Sequence, residues 1–502
     1  MQIKRLFVGS SLRFISLLAN VAVAFYMMPF LIKSLGDHWY GIWVVIGTIV
    51  SYYGVLDVGL SSATQRFLAH ALPRKDPDEL NRILVSSLGL FSIISLVGLG
   101  VTLACFVGAP FFIDGESDTE VFQYVIVIMG GAFSLAFPFY VLNGVLTANL
   151  RYDYSSYIEL GKLLVRTLGF VVVIEAGYGI IAMAAVTLVV NLLGYVVLFV
   201  LARRLAPWMK IRRHYFCRQQ LKAFFSYGIY TFITFIADKL RFSVDNIVVG
   251  AFMGFSAVSH YNIASRLAEY FIMAIGSLLG VMTPVFTRLH SENKLDEMRH
   301  YFIQTSRVGV VLTSVIGGVA MVFALPFISL WMGPDYLDAL WPFIVLISGL
   351  VLGGMQIPSV NLLYATATHR FYAAATSVEA VANLILSLIF IHYWGLLGVA
   401  LGTMVPILIT KVLVQPRYVC RVAGLPLATY YRKVFGLFTL CVAIQVPLAY
   451  VVLSQSIHSY WQLVSWAAGY IAVFVVVAYT LGLQREEKAR VKTWLSAKVR
   501  RG

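Results

Sequence analysis

Charge is scarce in this chain: only 12 per cent of its 502 residues are Asp, Glu, Lys or Arg, against 60 per cent apolar. That balance excludes a soluble globular protein. Cysteine is scarce too. Cys105, Cys217, Cys420 and Cys441 show no close spacing, so neither a metal site nor a disulfide framework is expected. No Gly-x-x-x-x-Gly-Lys-[Ser/Thr] loop is present. Gly161-Lys162 is followed by Leu163 inside an apolar stretch, so ATP is not an expected ligand. Long polar connections are missing as well, which leaves no room for a separate soluble domain. The first apolar stretch, Leu12 to Ile32, is too long for a secretory leader and lacks a small-residue cleavage site. It is expected to be a membrane span.

What remains is about fourteen apolar stretches, each long enough to cross a bilayer, for which about 20 residues suffice. They are read at 12–32, 40–62, 83–108, 122–148, 156–176, 178–202, 223–250, 256–287, 304–326, 339–366, 371–393, 395–416, 433–454 and 460–483. The connections alternate in charge. The basic ones carry Lys4 and Arg5; Arg66, Arg74, Lys75 and Arg82; Arg151; Arg203 to Lys222; Arg288, Lys294 and Arg299; Arg370; Arg417 to Lys433; and a tail from Arg485 to Arg501. The others hold Lys33 and the acidic Asp114, Glu116, Asp118, Glu120, Asp335 and Asp338. Lys and Arg are poorly translocated, so the basic connections and both termini are expected inside. The net charge of +15 then lies along the inner membrane surface, where orientation and anionic lipids explain it. Nucleic-acid binding is not expected.

The predicted fold class is an all-α polytopic membrane protein. Its expected divisions are a six-helix lobe over 1–202, a basic cytoplasmic linker over 203–222, a second six-helix lobe over 223–416, two additional helices over 417–483 and a basic cytoplasmic tail over 484–502. Pro29, Pro138, Pro284, Pro358 and Pro406 mark expected kinks. The two lobes resemble each other. Thr64 to Glu79 matches Thr283 to Glu297 with one gap, and Pro138, Arg151 and Glu159 recur as Pro358, Arg370 and Glu379. Tyr178-Gly179 recurs as Trp394-Gly395 at an outer hairpin. Six spans is an even number, so both lobes insert the same way and are expected to be related by an axis along the membrane normal.

Several short segments then carry a family likeness. They are Tyr40-Gly41-Ile42-Trp43, followed by Leu56-Asp57-Val58-Gly59-Leu60; Val244-Asp245-Asn246 running to Gly250, with Gly254; His260-Tyr261-Asn262-Ile263-Ala264; and the Tyr178-Gly179 hairpin. On these residues the whole chain resembles the polysaccharide-biosynthesis flippases of the multidrug/oligosaccharidyl-lipid/polysaccharide (MOP) exporter superfamily, the Wzx type. The resemblance implies two six-helix lobes forming a V, with two extra helices alongside. It implies a monomer in the bacterial cell inner membrane. It also implies movement of an undecaprenyl-pyrophosphate-linked oligosaccharide, an O-antigen or exopolysaccharide repeat unit, from the cytoplasmic to the periplasmic leaflet. Expected partners are that lipid-linked oligosaccharide, membrane lipids, and a polysaccharide polymerase with its chain-length regulator.

Of the 38 basic residues, those inside the spans are Arg13, Lys162, Arg166, Lys239, Arg241, Arg266, Arg307 and Lys411. A charge at the centre of a membrane helix costs at least about 2.5–3.5 kcal/mol, so these side chains should face protein or water. One reading makes them a cationic cavity for a pyrophosphate and acidic sugars, a role that suits the planar fork of Arg. The other reading is snorkelling near the inner surface or structural ion pairing. Snorkelling is the stronger reading for Arg13, Arg307 and Lys411, and a cavity role for Arg166, Arg241 and Arg266. Lys162 and Arg166 are four residues apart and share a helix face with Glu159.

No organic cofactor is expected. Coupling to H⁺ or Na⁺ could supply direction, with Asp57, Glu159, Asp245, Glu269 and Glu379 as candidates; each also reads as the counter-ion of a nearby Arg. Asn20, Asn143, Asn191, Asn246, Asn361 and Asn383 read either as interhelical contacts or as cavity groups. Two other functions fit parts of the pattern. A cation-coupled multidrug exporter of the same superfamily would prefer a carboxylate-rich cavity. A membrane-embedded polysaccharide polymerase would need a substantial outer loop, and the outer connections here are short.

Overall fold

A computed structural model describes residues 2–57, 59–221, 224, 244–368, 370–482 and 488, with side chains undescribed at 2–11, 13, 14 and 281. Most of the described residues are helical, with no strand among them. Eleven helical stretches among them are long and apolar enough to cross a membrane. This is a multi-pass all-α membrane protein. One of the eleven, Arg370–Ala423, covers two expected spans, because Gly395 breaks it with φ 55° and ψ −131°. The expected span 156–176 lies in a 24-residue helix, Tyr152–Glu175. At 1.5 Å per residue it is about 36 Å long, and only its charges set it apart from the apolar group. Most of the expected span 223–250 lies outside the described residues.

The chain divides into two compact units, Met1–Ser259 and His260–Gly502. The first contains α1 (Gln2–Leu35), α2 (Asp37–Tyr52), α3 (Leu60–Ala71), α4 (Pro77–Phe112), α5 (Glu116–Ala148), α6 (Tyr152–Glu175), α7 (Gly179–Leu205) and the short α8 (Val244–Met253). Local sequence sets several of these boundaries. Asp76 caps α4 by accepting from the backbone N–H groups of Asp78 and Glu79, and Pro77 stands in the first turn, where no N–H is needed. Gly177 and Gly179 turn the α6–α7 hairpin at φ +81° and +68°, values that favour glycine.

The core of this unit gathers Leu68, Leu84, Phe91, Phe137, Val141 and Leu146. The connection after α7 is fastened to α4 by the fully buried Asn81. Its amide donates to the Trp208 carbonyl at 2.9 Å and accepts from the Lys210 N–H at 2.7 Å. α4 and α5 approach so closely that a methyl group on Gly98 would stand 2.6 Å from Ser134 Oγ. Close helix approach over small residues replaces the hydrophobic drive that lipid cannot supply. Gly98→Val is therefore expected to cost about 1–3 kcal/mol through overpacking. Thermal unfolding in detergent checks this, and an unchanged midpoint would show that these helices have room to part.

α9 (Phe255–Leu279) begins in the first unit and continues into the second. There follow α10 (Thr283–Ser291), α11 (Leu295–Val322), α12 (Ala324–Trp331), α13 (Leu340–Met355), α14 (Ile357–Ala365), α15 (Arg370–Ile409), α16 (Gln415–Ala423), α17 (Leu427–Tyr430), α18 (Gly436–Leu453) and α19 (Tyr460–Val477). Pro284 and Pro358 stand in the first turns of α10 and α14, so each starts a new helix instead of bending one. Phe302 of α11 stacks on Tyr430, with centroids 5.6 Å apart, inside a core with Met355, Leu362 and Phe474.

Three π-helical turns, Thr410–Val414, Tyr431–Phe435 and Ala478–Gly482, interrupt this unit. Such turns break the regular ladder, and side chains bond several carbonyls within them. Arg307 donates to the carbonyls of Lys433 at 2.8 Å and Gly482 at 2.6 Å. Gln356 donates to the Lys411 carbonyl at 3.0 Å.

Candidate functional site

A cavity of about 450 Å³ opens in the first unit among α2, α5, α6 and α7. α6 supplies its charge. Arg151, just ahead of the helix, forks onto Asp153 at 3.0 and 2.8 Å and lies 3.5 Å above the Tyr154 ring. One turn on, Ser155 donates to Asn143 of α5 at 2.7 Å. The start of α6 is thus tied down on both sides. Glu159, Lys162 and Arg166 follow at helical spacing, and all three reach the cavity wall.

Lys162 pairs with Glu159 at 3.0 Å. Among the described residues Arg166 has neither an ion pair nor a hydrogen bond, so the wall carries an uncompensated positive charge. Where water is sparse such a charge acts far more strongly than on a soluble surface. The opposite walls are polar and aromatic: Tyr140 and Asn143 from α5, and Thr187, Asn191 and Tyr195 from α7. Tyr195 stacks on Phe139 at 4.5 Å and faces the Lys162 ammonium at 6.0 Å. A cavity with a guanidinium, an ammonium, tyrosyl hydroxyls and two side-chain amides can bind an anion and hydrogen-bond sugar hydroxyls.

A second cleft of about 240 Å³ shares Tyr140 and Asn143 and adds Ser61, Ser62 and Gln65 of α3. Asp57 stands behind it. Its Oδ1 accepts from the Ser61 N–H at 3.1 Å and the Ser61 hydroxyl at 2.9 Å. Gly59 makes the intervening turn at φ +71°. Asp57 therefore fixes the first turn of α3 and the Ser61 hydroxyl that lines the cleft.

A family model described as polysaccharide biosynthesis protein matches residues 44–340 of this chain, more than half its length. The chain belongs to that family. EpsK, a membrane protein of Bacillus subtilis, is 23% identical over 499 residues, spanning 94% of this chain and 95% of its own. A putative O-antigen transporter of Shigella flexneri is 20% identical over 402 residues, spanning 79% of this chain and 93% of its own. An inward closed structure of the lipid II flippase MurJ superposes with a TM-score of 0.71 at 15% identity, covering 94% of this chain and 99% of that one. The last of these speaks for the fold. Membership agrees with the MOP superfamily resemblance carried by the sequence segments.

Of the other sequence candidates in this polysaccharide biosynthesis protein, Arg266, Glu269, Arg307, Glu379 and Lys411 belong to the second unit. Arg266 pairs with Glu269 on α9 at 2.8 Å, both about half exposed. Arg307 is buried among the π-turn carbonyls of the second unit. Lys411 lies 3.4 Å from Glu379, and both are sealed from solvent. Asp245 is buried on α8 in the first unit. Lys239, Arg241 and the side chain of Arg13 lie outside the described residues.

Tyr140, Tyr195, Ser155 and Thr187 join the site from the structure alone. Tyr140 shares a helix face with Asn143, and Tyr195 with Thr187 and Asn191, at spacings of three or four residues, a pattern that ordinary packing faces also show.

Proposed function

We propose that this protein is a flippase that carries an anionic lipid-linked oligosaccharide between membrane leaflets by exposing the α6 cavity alternately to each side. The observation that carries the reading is Arg166, a cation without an ion pair among the described residues, on the wall of a polar cavity. A pyrophosphate would take its fork and the Lys162 ammonium. The aromatic and amide walls would hold the sugars. The lipid II flippase and the putative O-antigen transporter among its relatives support a lipid-linked cargo. An undecaprenyl-pyrophosphate-linked repeat unit is the specific cargo proposed, and H⁺ or Na⁺ exchange at Glu159 is the proposed source of direction.

The test is glycan complementation in a strain lacking its own flippase, with lipid-linked intermediates counted on each leaflet. Restored surface glycan and emptied inner-leaflet intermediates are expected. Retained intermediates together with acquired resistance to cationic drugs would replace this reading with multidrug export.

A further inference from the structure

α6 separates two spaces. Beside the polar cavity, a groove of about 470 Å³ runs between α6 and α7. Its walls include Tyr157, Gly161 and Val165 of α6 and Leu193, Val197 and Leu201 of α7. Tyr157, Val165, Leu193 and Val197 are all exposed, so the groove is an open apolar concavity on the surface of the unit. Its size falls within the roughly 300–1,000 Å³ typical of small-molecule sites.

The groove adjoins the polar cavity. Ile158, Lys162 and Gly194 line both. Lys162 is the charged residue at the junction, and its stem lies across Gly194, where a methyl group would stand 2.8 Å from Lys162 Cδ. The absence of a side chain at Gly194 is what lets the lysine bridge the two spaces. At Gly161 nothing lies within 4 Å of where a Cβ would be, so this glycine keeps the groove open. The groove lies in the half of the two helices nearest the basic connections: α6 starts after Arg151, and α7 ends in Arg203 and Arg204.

We propose that the α6–α7 groove binds the phosphate-proximal part of the substrate's lipid chain, with Lys162 at the phosphate where chain and headgroup join. This inference rests on the flippase reading. An apolar channel meeting a cationic cavity at one ammonium matches a molecule whose apolar chain meets its anionic group at one point. An ordinary phospholipid chain could touch the apolar walls, but its glycerol ester region would leave the polar cavity behind Lys162 unfilled.

The test uses the full chain in vesicles of phosphatidylethanolamine and phosphatidylglycerol. One probe is a polyprenyl-pyrophosphate glycolipid with a diazirine on its first isoprene unit. The control probe is a diazirine-bearing phosphatidylglycerol. A water-soluble short-chain pyrophosphate glycolipid reports headgroup binding separately.

The polyprenyl probe is expected to label 154–165 and 190–201, in preference to the phospholipid probe. Gly161→Phe fills open space without an opposing atom and is expected to reduce labelling and glycan export by about tenfold. Its short-chain binding, protein level and melting point should stay at wild-type values, and Gly161→Ala should behave as wild type. Labelling elsewhere, equal labelling by the phospholipid, or normal export by Gly161→Phe would overturn the groove while short-chain binding still upheld the flippase. Loss of short-chain binding in the wild type would remove the flippase reading and the groove with it.

Discussion

Arg166→Ala is expected to abolish glycan export while leaving the amount of folded protein unchanged. Arg166 makes no ion pair or hydrogen bond among the described residues, so its truncation breaks no internal polar contact there. What it removes is the fork offered to the substrate. Hydrogen bonds to a charged group contribute about 1.5–3 kcal/mol each, so losing the two-donor fork should weaken binding of a pyrophosphate glycolipid by at least about 100-fold. Arg166→Lys keeps the charge but loses the planar pair of donors, and should retain partial export. Binding measured in nanodiscs, surface glycan and protein level together give the answer. Equal loss of folded protein in both variants would instead make Arg166 a structural residue.

Much of this architecture is legible in the sequence because membrane physics leaves few options. Lys and Arg avoid translocation, so alternation of charge marks the connections. Gly395 is legible through the repeat: it recurs opposite Gly179, and both turn a hairpin with positive φ. The α6 stripe is also legible, because Glu159, Lys162 and Arg166 are three and four residues apart and must share a face. The tyrosines of the opposite walls are not. Aromatic residues in spans serve packing and interfacial belts so often that Tyr140 and Tyr195 stand out only once Lys162 is seen beside them.

Arg307 shows a different limit. Its partners are the carbonyls of Lys433 and Gly482, each more than a hundred positions away and each within a π-helical turn. A π-turn has no hydrophobic period of its own, so neither the turns nor the guanidinium that serves them can be read from the pattern. Sequence alone gives a cation near the inner end of a span. The structure makes it a tie among three helical segments.

The repeat makes the second large effect predictable, because its two counterpart carboxylates have separated in setting. Glu159 is 63% exposed, at a cavity mouth, whereas Glu379 is 1% exposed and packed against Lys411 and the Thr410 hydroxyl. The Lys411 ammonium also lies 5.2 Å above the Tyr372 ring. Removing one partner of such a sealed pair leaves a buried charge uncompensated, which costs about 3–5 kcal/mol. Lys411→Met is therefore expected to lower the thermal midpoint sharply and to reduce the folded yield. Glu379→Leu combined with Lys411→Met removes both charges and should recover most of the loss, since apolar replacements of buried pairs are often neutral. Glu379→Gln separates stability from ion coupling. If the carboxylate serves packing, the amide should lower the midpoint and leave the dependence of export on H⁺ and Na⁺ gradients unchanged. An unshifted midpoint with a flattened gradient dependence would move the coupling site from Glu159 to Glu379.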